Sequence, residues 1–485
     1  MHFESEQWLE VASFQKLPCV FLEGGEPWND NNYATRFTVY FVERPGEPIR
    51  LGFVKILKRG EMKTTLPGEF SRLDDSYCSL GQSVDFYERV QQLGHSVARE
   101  VLLGLRDVVL TPTLQEAFKD EPAYSESLLR ASSAHLVLKE AGRFFHYSST
   151  PLPPPSFTYK AKFYDFAAPH ELRFDFHARE KWLGRIVALV GRNGMGKTVL
   201  LGQLANELSG FPLKDSGKFT PEKPAVSQVL AISYSPFDTF KRPKRQPGVN
   251  YVYCGLRDSS DRVDPQWAVS EFDLALGDIR KLERWSLWMR LMQESGILNE
   301  LPDQEQLFVE QPVAELARLT RQSSGHKVVL LILARVFASI QPRSILLFDE
   351  PETHLHPHLL SGLMRLLHLL LHEFDSYAIV ATHSPIVLQE LPARDIQILE
   401  CEGGIPIVSA YPGESFGNNL TEIVNMAFRV SEKDKNYFKI LEDLILKQKA
   451  LDAVAALFDE QLNLNMRMTL RALMKQREGS GDDES

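Results

Sequence analysis

Cysteine is scarce in this 485-residue chain: Cys19, Cys78, Cys254 and Cys401 are scattered, with no C-x-x-C pair. That spacing argues against a zinc site or a disulfide framework and suits a reducing compartment. Long apolar runs are also missing. The longest, residues 359–371, is interrupted by Arg365 and His368 and is too short to span a bilayer. The first residues, MHFESEQWLE, are acidic and lack a signal core, so a cytoplasmic protein with no membrane partner is expected. Positive charge is in deficit, with 54 Lys and Arg against 64 Asp and Glu and a net charge of −10. No global basic field therefore advertises nucleic-acid binding, although a local basic groove is compatible with that average. No internal repeat and no sustained heptads are found, which excludes a solenoid and a long coiled-coil arm.

What the chain does have is two strand-like apolar runs that end in chemistry. Residues 185–190 (RIVALV) lead into GRNGMGKT at 191–198, followed by a helical pattern through Leu208. This is G-x-x-x-x-G-K-[ST] in its required strand-before, helix-after context. Gly191, Gly194 and Gly196 let the backbone turn tightly and aim N–H groups at phosphate oxygens, with Arg192, Asn193 and Met195 between them. Lys197 supplies positive charge to the β- and γ-phosphates, and the Thr198 hydroxyl completes a Mg²⁺ shell. The bland alternative is a Gly-rich turn capping a helix.

The second run, SILLFDE at 344–350, delivers Asp349 and Glu350 to the carboxyl end of a buried strand, where ligands of open α/β sheets bind. One carboxylate there can hold Mg²⁺ while its neighbour polarises a water for attack on a phosphate. A core strand followed by an acidic surface turn is the competing reading.

Elsewhere the patterning is organisational. Residues 33–43 and 49–57 alternate as a hairpin, and Phe86, Val90, Leu93, Val97 and Val101 form a helical stripe. An N-terminal α+β accessory domain is expected at 1–147 and a Pro-rich linker at 148–155. Strands are expected near 157–164, 171–176, 227–233, 344–348, 377–381, 395–400 and 406–410. Residues 240–312 read as a helical insertion carrying Trp267, Trp285 and Trp288. Amphipathic helices are expected at 431–477 and a disordered acidic tail at 478–485. Glu61-Met62-Lys63 has the E-x-K spacing of a nuclease triad, but no aspartate closely precedes it, and a solvated loop is the reading.

QSSGHK at 322–327 precedes a helical run, and ATHSP at 381–385 puts His383 after the next strand. In this order the motifs resemble the ABC-type ATPase heads, in the non-transporter branch that includes SMC-like repair ATPases and the OLD family. GRNGMGKT looks like Walker A, SILLFDE like Walker B, QSSGHK like the ABC signature and ATHSP like the switch-histidine segment. The run Glu352-Thr353-His354-Leu355-His356-Pro357 is similar to the E-x-H-L-H-P segment of that branch. The signature departs from the family pattern at Gln322 and at His326, and the Q-loop glutamine is not placed, residues 233–238 occupying its region.

The resemblance covers about residues 156–430 and implies an α/β fold: an ABC-type P-loop ATPase head with a mixed sheet flanked by helices. It implies ATP and Mg²⁺ as cofactors, with residues 191–198 binding the triphosphate and Thr198 and Asp349 holding the metal. Glu350 would position the attacking water, His383 would contact the γ-phosphate, and Ser323, Ser324 and Gly325 would act on ATP bound to a second subunit in a head-to-tail homodimer. His354 and His356 are read as packing and interface residues. The missing Toprim pattern after His383 disfavours an OLD nuclease. The layout is similar to PtuA-type ATPase subunits of Septu and related retron anti-phage systems, which work with a separately encoded nuclease. A regulatory ATPase acting on a nuclease or toxin effector is thus the leading expectation. A DNA-repair ATPase acting directly on DNA and a nucleotide-gated scaffold are the alternatives.

Overall fold

The computed structural model describes all residues except 7–15, 25–32, 146–151, 164–165, 178–179, 193, 212–216, 236–237, 239, 241–249, 259, 261, 263–264, 301–323, 354, 429–435, 449–450, 459–463 and 481–485. The chain divides into two compact units, Met1–Gly417 and Asn418–Ser485.

The first unit begins with a six-stranded sheet in the order Glu69–Phe70, His2–Glu6, Cys19–Gly24, Arg36–Val42, Pro48–Lys58, Tyr77–Gly81. The hairpin forms as its alternation requires: Phe37, Val39 and Phe41 point inward while Arg36, Thr38 and Tyr40 stay half-exposed. The helical stripe differs from expectation, because Gly94 at φ +99° splits it into helices Val84–Gln92 and His95–Gly104. The two keep one apolar phase across the break. Phe86, Val90, Val101 and Leu102 therefore still pack on Val39, Val54, Ile56 and Leu80 in one core.

The second sheet positions the chemistry. Its strands run in the order Tyr251–Gly255, Val229–Ser233, Ile345–Asp349, Tyr377–Thr382, Ile186–Gly191, Ile396–Glu402, Ile405–Ala410. All neighbours are parallel except the last pair. Ile345–Asp349, Tyr377–Thr382 and Ile186–Gly191 are buried at every residue, which explains their unbroken apolar sequences. A Leu347→Ala change would cost about 3 kcal/mol in so closed a layer. Register pairs Ser233 with Asp349, Asp349 with Ala381 and Thr382 with Val190, so the carboxyl ends meet at one edge. Helix Lys197–Ser209 lies between this sheet and a three-stranded antiparallel one, Lys218–Thr220, Ser156–Ala161, His170–Asp175.

The expected helical insertion at 240–312 is corrected in its first part. Residues 251–255 form an edge strand of the main sheet, as their alternating Tyr-Val-Tyr favours. The helices Pro265–Lys281 and Trp285–Glu294 follow. Trp288 is fully buried against Phe337 with centroids 4.7 Å apart.

In the second unit, helices Leu420–Phe428, Asn436–Gln448, Leu451–Ala456 and Leu464–Ser480 include a small core of Leu441, Ile445, Val454 and Leu470. The last helix runs to Ser480, three residues into the tail expected to be disordered at 478–485. Among the described residues, no helix is long and apolar enough to cross a membrane.

Candidate nucleotide site

The phosphate loop leaves the strand Ile186–Gly191 beside Ile396–Glu402, whose backbone comes so close that a Cβ on Gly191 would meet the Leu399 carbonyl at 2.5 Å. Gly196 turns the chain at φ +79° and caps helix Lys197–Ser209, its carbonyl accepting from Leu200 N at 2.8 Å. Lys197 is 6% exposed, and its Nζ donates to the carbonyls of Gly191 at 2.7 Å and Arg192 at 3.3 Å. Burial lowers its pKa, while Glu350, Asp349 and Glu352 pull it back up. Those three acids around one buried ammonium leave the site with surplus negative charge.

Asp349 ends its strand at 3% exposure. Burial pushes its pKa up to about 7; the Thr198 hydroxyl, hydrogen-bonded to it, opposes the rise, and the charges of Glu350 and Asp238 add to it. Its Oδ1 is buried without a hydrogen-bond partner, a costly state for a carboxylate oxygen. The next residue, Glu350, takes φ +46°, a left-handed turn held by its N–H donating to Ala381 O at 2.8 Å. Such backbone costs of order 1 kcal/mol for a non-glycine residue and clusters where function constrains the chain.

His383 follows Tyr377–Thr382 and is half-exposed, with Nδ1 3.7 Å from Glu350 Oε1 and 3.1 Å from Glu352 Oε1. The structure thus brings together Lys197, Thr198, Asp349, Glu350 and His383, with Gly191, Arg192, Gly194, Met195 and Gly196 in the adjoining loop. Asn193, Gln322, Ser323 and His354 lie outside the described residues. Ser324 and Gly325 open helix Ser324–Ser339, which packs on Pro265–Lys281 and on the edge strand Tyr251–Gly255.

Two residues at this edge carried no role in the sequence reading. Glu352 accepts from Thr382 Oγ1 at 2.9 Å and from His383 N at 2.7 Å, a link across the strand ends that local patterning does not reveal. Asp238, in the region where a Q-loop was sought, accepts from Phe240 N at 3.1 Å and Tyr253 Oη at 2.7 Å, with Arg257 beside it. Glu61 pairs with Lys58 at 2.5 Å instead of forming a nuclease centre.

The residues present fit Mg²⁺ with a nucleoside triphosphate. Asp349 Oδ1 lacks a partner, the Thr198 hydroxyl adjoins it, and the surplus carboxylate charge calls for a cation. Strand order, phosphate loop and paired carboxylates make this sheet edge a candidate nucleotide site on an α/β core.

Known proteins are similar to parts or most of the chain. Residues 293–389 match the family described as "AAA domain, putative AbiEii toxin, Type IV TA system", a span that holds Asp349, Glu350, Glu352 and His383 but not the phosphate loop. Protein ea59 of Escherichia phage lambda is 26% identical over 93% of this chain and 94% of its own length. A "putative ABC transporter ATP-binding protein" of Methanothermobacter marburgensis is 27% identical over 50% of this chain and 74% of its own. Among solved structures, a "putative metal-chelate type ABC transporter" superposes loosely, with a TM-score of 0.32 and 15% identity over 58% of this chain and 94% of its own. The cbiO1 protein of Clostridium perfringens gives a TM-score of 0.30 and 16% identity over 61% of this chain and 97% of its own.

Proposed function

We propose that the chain hydrolyses ATP in a composite site and uses the cycle to control a separately encoded effector, such as a nuclease, in anti-phage defence. The observation that carries the hydrolytic reading is the orphaned Asp349 Oδ1 beside Thr198, Lys197 and Glu350 at one sheet edge. Thr198 and Asp349 would hold Mg²⁺, and residues 191–198 the triphosphate. Bound there, Mg²⁺ neutralises charge on the β- and γ-phosphates. Lys197 exchanges its loop carbonyls for phosphate oxygens, Glu350 accepts a proton from the attacking water, and His383 contacts the γ-phosphate.

The dimer reading is supported by strand order. Helix Ser324–Ser339 packs on the edge strand and its neighbour Val229–Ser233, four and three places from the phosphate-loop strand. At about 4.8 Å per strand that is roughly 14–19 Å, too far for Ser324 and Gly325 to complete their own site. Serving the site of a second copy, with Ser323, is the natural use of such a segment.

The regulatory reading is supported by a clamp between the N-terminal domain and the phosphate-loop helix. Lys223 Nζ donates to Arg130 O at 2.8 Å and to Glu207 O at 2.9 Å, so a shift of the helix is felt at the N-terminal domain. Turnover with Mg²⁺ and ATP, and sedimentation of Glu350→Gln with and without ATP, test the hydrolytic and dimer readings. The expected result is turnover in the wild-type protein, reduced about 1000-fold in the variant, and an ATP-dependent dimer. Failure to bind ATP would overturn it. Specific co-purification with a neighbouring gene's nuclease tests the regulatory step, and an unaltered nuclease in its presence would count against it.

A further inference from the structure

We propose that Glu352 is a positioning residue that fixes the tautomer and placement of His383, an inference that rests on the reading of His383 as the γ-phosphate contact. Glu352 comes from the turn after Ile345–Asp349, yet its Oε1 reaches the end of the neighbouring strand. There it accepts from the Thr382 hydroxyl at 2.9 Å and the His383 backbone N–H at 2.7 Å, and lies 3.1 Å from His383 Nδ1. The carboxylate is 10% exposed on its side chain, so little water competes for these bonds. Its Oε2 is buried without a partner, so Oε1 makes all the hydrogen bonds of this carboxylate.

A carboxylate only accepts hydrogen bonds, and its charge favours a proton on the ring nitrogen 3.1 Å away. Glu350 Oε1, 3.7 Å from the same Nδ1, places a second carboxylate charge on that side. The neutral His383 ring is assigned on that basis as the Nδ1–H tautomer, and Nε2 is the nitrogen that faces a ligand, donating to it only when the ring carries both protons. Glu352 also ties the end of the Glu350 strand to the end of the His383 strand. It sets the distance between the two groups that act on the phosphate without touching the substrate itself.

Two variants test this in the full-length chain. Glu352→Gln keeps an acceptor oxygen and should hold turnover within about tenfold, whereas Glu352→Ala should lower kcat about 10- to 100-fold with KM little changed. The decisive readout is the imidazole ¹⁵N spectrum, with the His383 resonance assigned by its loss in His383→Gln. The wild-type protein should show protonated Nδ1, Glu352→Gln should largely keep it, and Glu352→Ala should move toward the Nε2–H form. A wild-type ring protonated at Nε2, or a tautomer unchanged in Glu352→Ala, would overturn the proposal. The spectrum needs no turnover. A protein that shows the Nδ1–H form and its loss in Glu352→Ala, but hydrolyses no ATP, would retain the positioning role and refute the hydrolytic reading.

Discussion

Asp107 beside the six-stranded sheet and Asp349 at the edge of the seven-stranded sheet are both almost closed to solvent, at 1% and 3% exposure, and burial raises their pKa values to about 6 and about 7. Their partners differ. Asp107 accepts from Tyr87 Oη at 2.7 Å, Val109 N at 2.9 Å and Leu110 N at 3.3 Å, so both oxygens are satisfied. Asp349 has the Thr198 hydroxyl and neighbouring like charges, and one oxygen without a partner. Buried charge in the first case ties a turn to a helix; in the second it is kept incomplete, as a site awaiting a cation would be.

The largest effect should come from breaking the satisfied one. Asp107→Ala leaves the Tyr87 O–H and two backbone N–H groups without acceptors, at about 1–3 kcal/mol each. A loss of about 3–6 kcal/mol is expected by denaturant unfolding. Asp349→Asn should do the reverse: nucleotide-free stability equal or higher, and turnover down at least about 100-fold. Equal destabilisation by both changes would erase the distinction.

The pH dependence sharpens the same contrast. A carboxyl whose pKa is raised on folding binds its proton more tightly in the folded state. Its contribution is therefore present in full below about pH 4 and is lost as pH rises through the folded value. For Asp349 that window runs from its ordinary 3.8 to about 7, and for Asp107 only to about 6. At 1.36 kcal/mol per pH unit, about 4 kcal/mol is the upper bound for Asp349. Wild type minus Asp349→Asn, followed by melting between pH 4 and 7 without nucleotide, should show stability falling as pH rises. A flat difference would mean that Asp349 is not held desolvated.

Much of this site was legible in the chain because each part is local. The phosphate loop is one contiguous motif with glycines where the backbone needs them, and the apolar run before Asp349 announces a strand buried on both faces. Glu352 and Thr382, bonded at 2.9 Å, are thirty residues apart, and only the parallel register of Ile345–Asp349 with Tyr377–Thr382 joins them. The strands His2–Glu6 and Cys19–Gly24 were not read, since the first of these short pieces becomes a strand only through its pairing with the second and with Glu69–Phe70. The edge strand Tyr251–Gly255 was masked by the helical, Trp-bearing sequence that follows it. The break at Gly94 was hidden because the apolar phase survives it.

The smallest effect separates the two regions most finely. Ser83 caps helix Val84–Gln92 by accepting from Phe86 N at 3.3 Å, and Ser384 caps Pro385–Gln389 by accepting from Ile386 N at 3.3 Å. Loss of either cap should cost about 1 kcal/mol. Their surroundings are not alike. Ser384 is 5% exposed, adjoins His383, and donates its own N–H to Thr382 Oγ1 at 2.9 Å, the hydroxyl that also bonds Glu352. Ser384→Ala should therefore loosen the end of the strand that carries His383 and lower kcat a few-fold, whereas Ser83→Ala should lower the melting temperature by a similar amount with kcat unchanged. If kcat stays at the wild-type value in both variants, the placement of His383 does not depend on the cap, and Glu352 and Thr382 suffice to hold it.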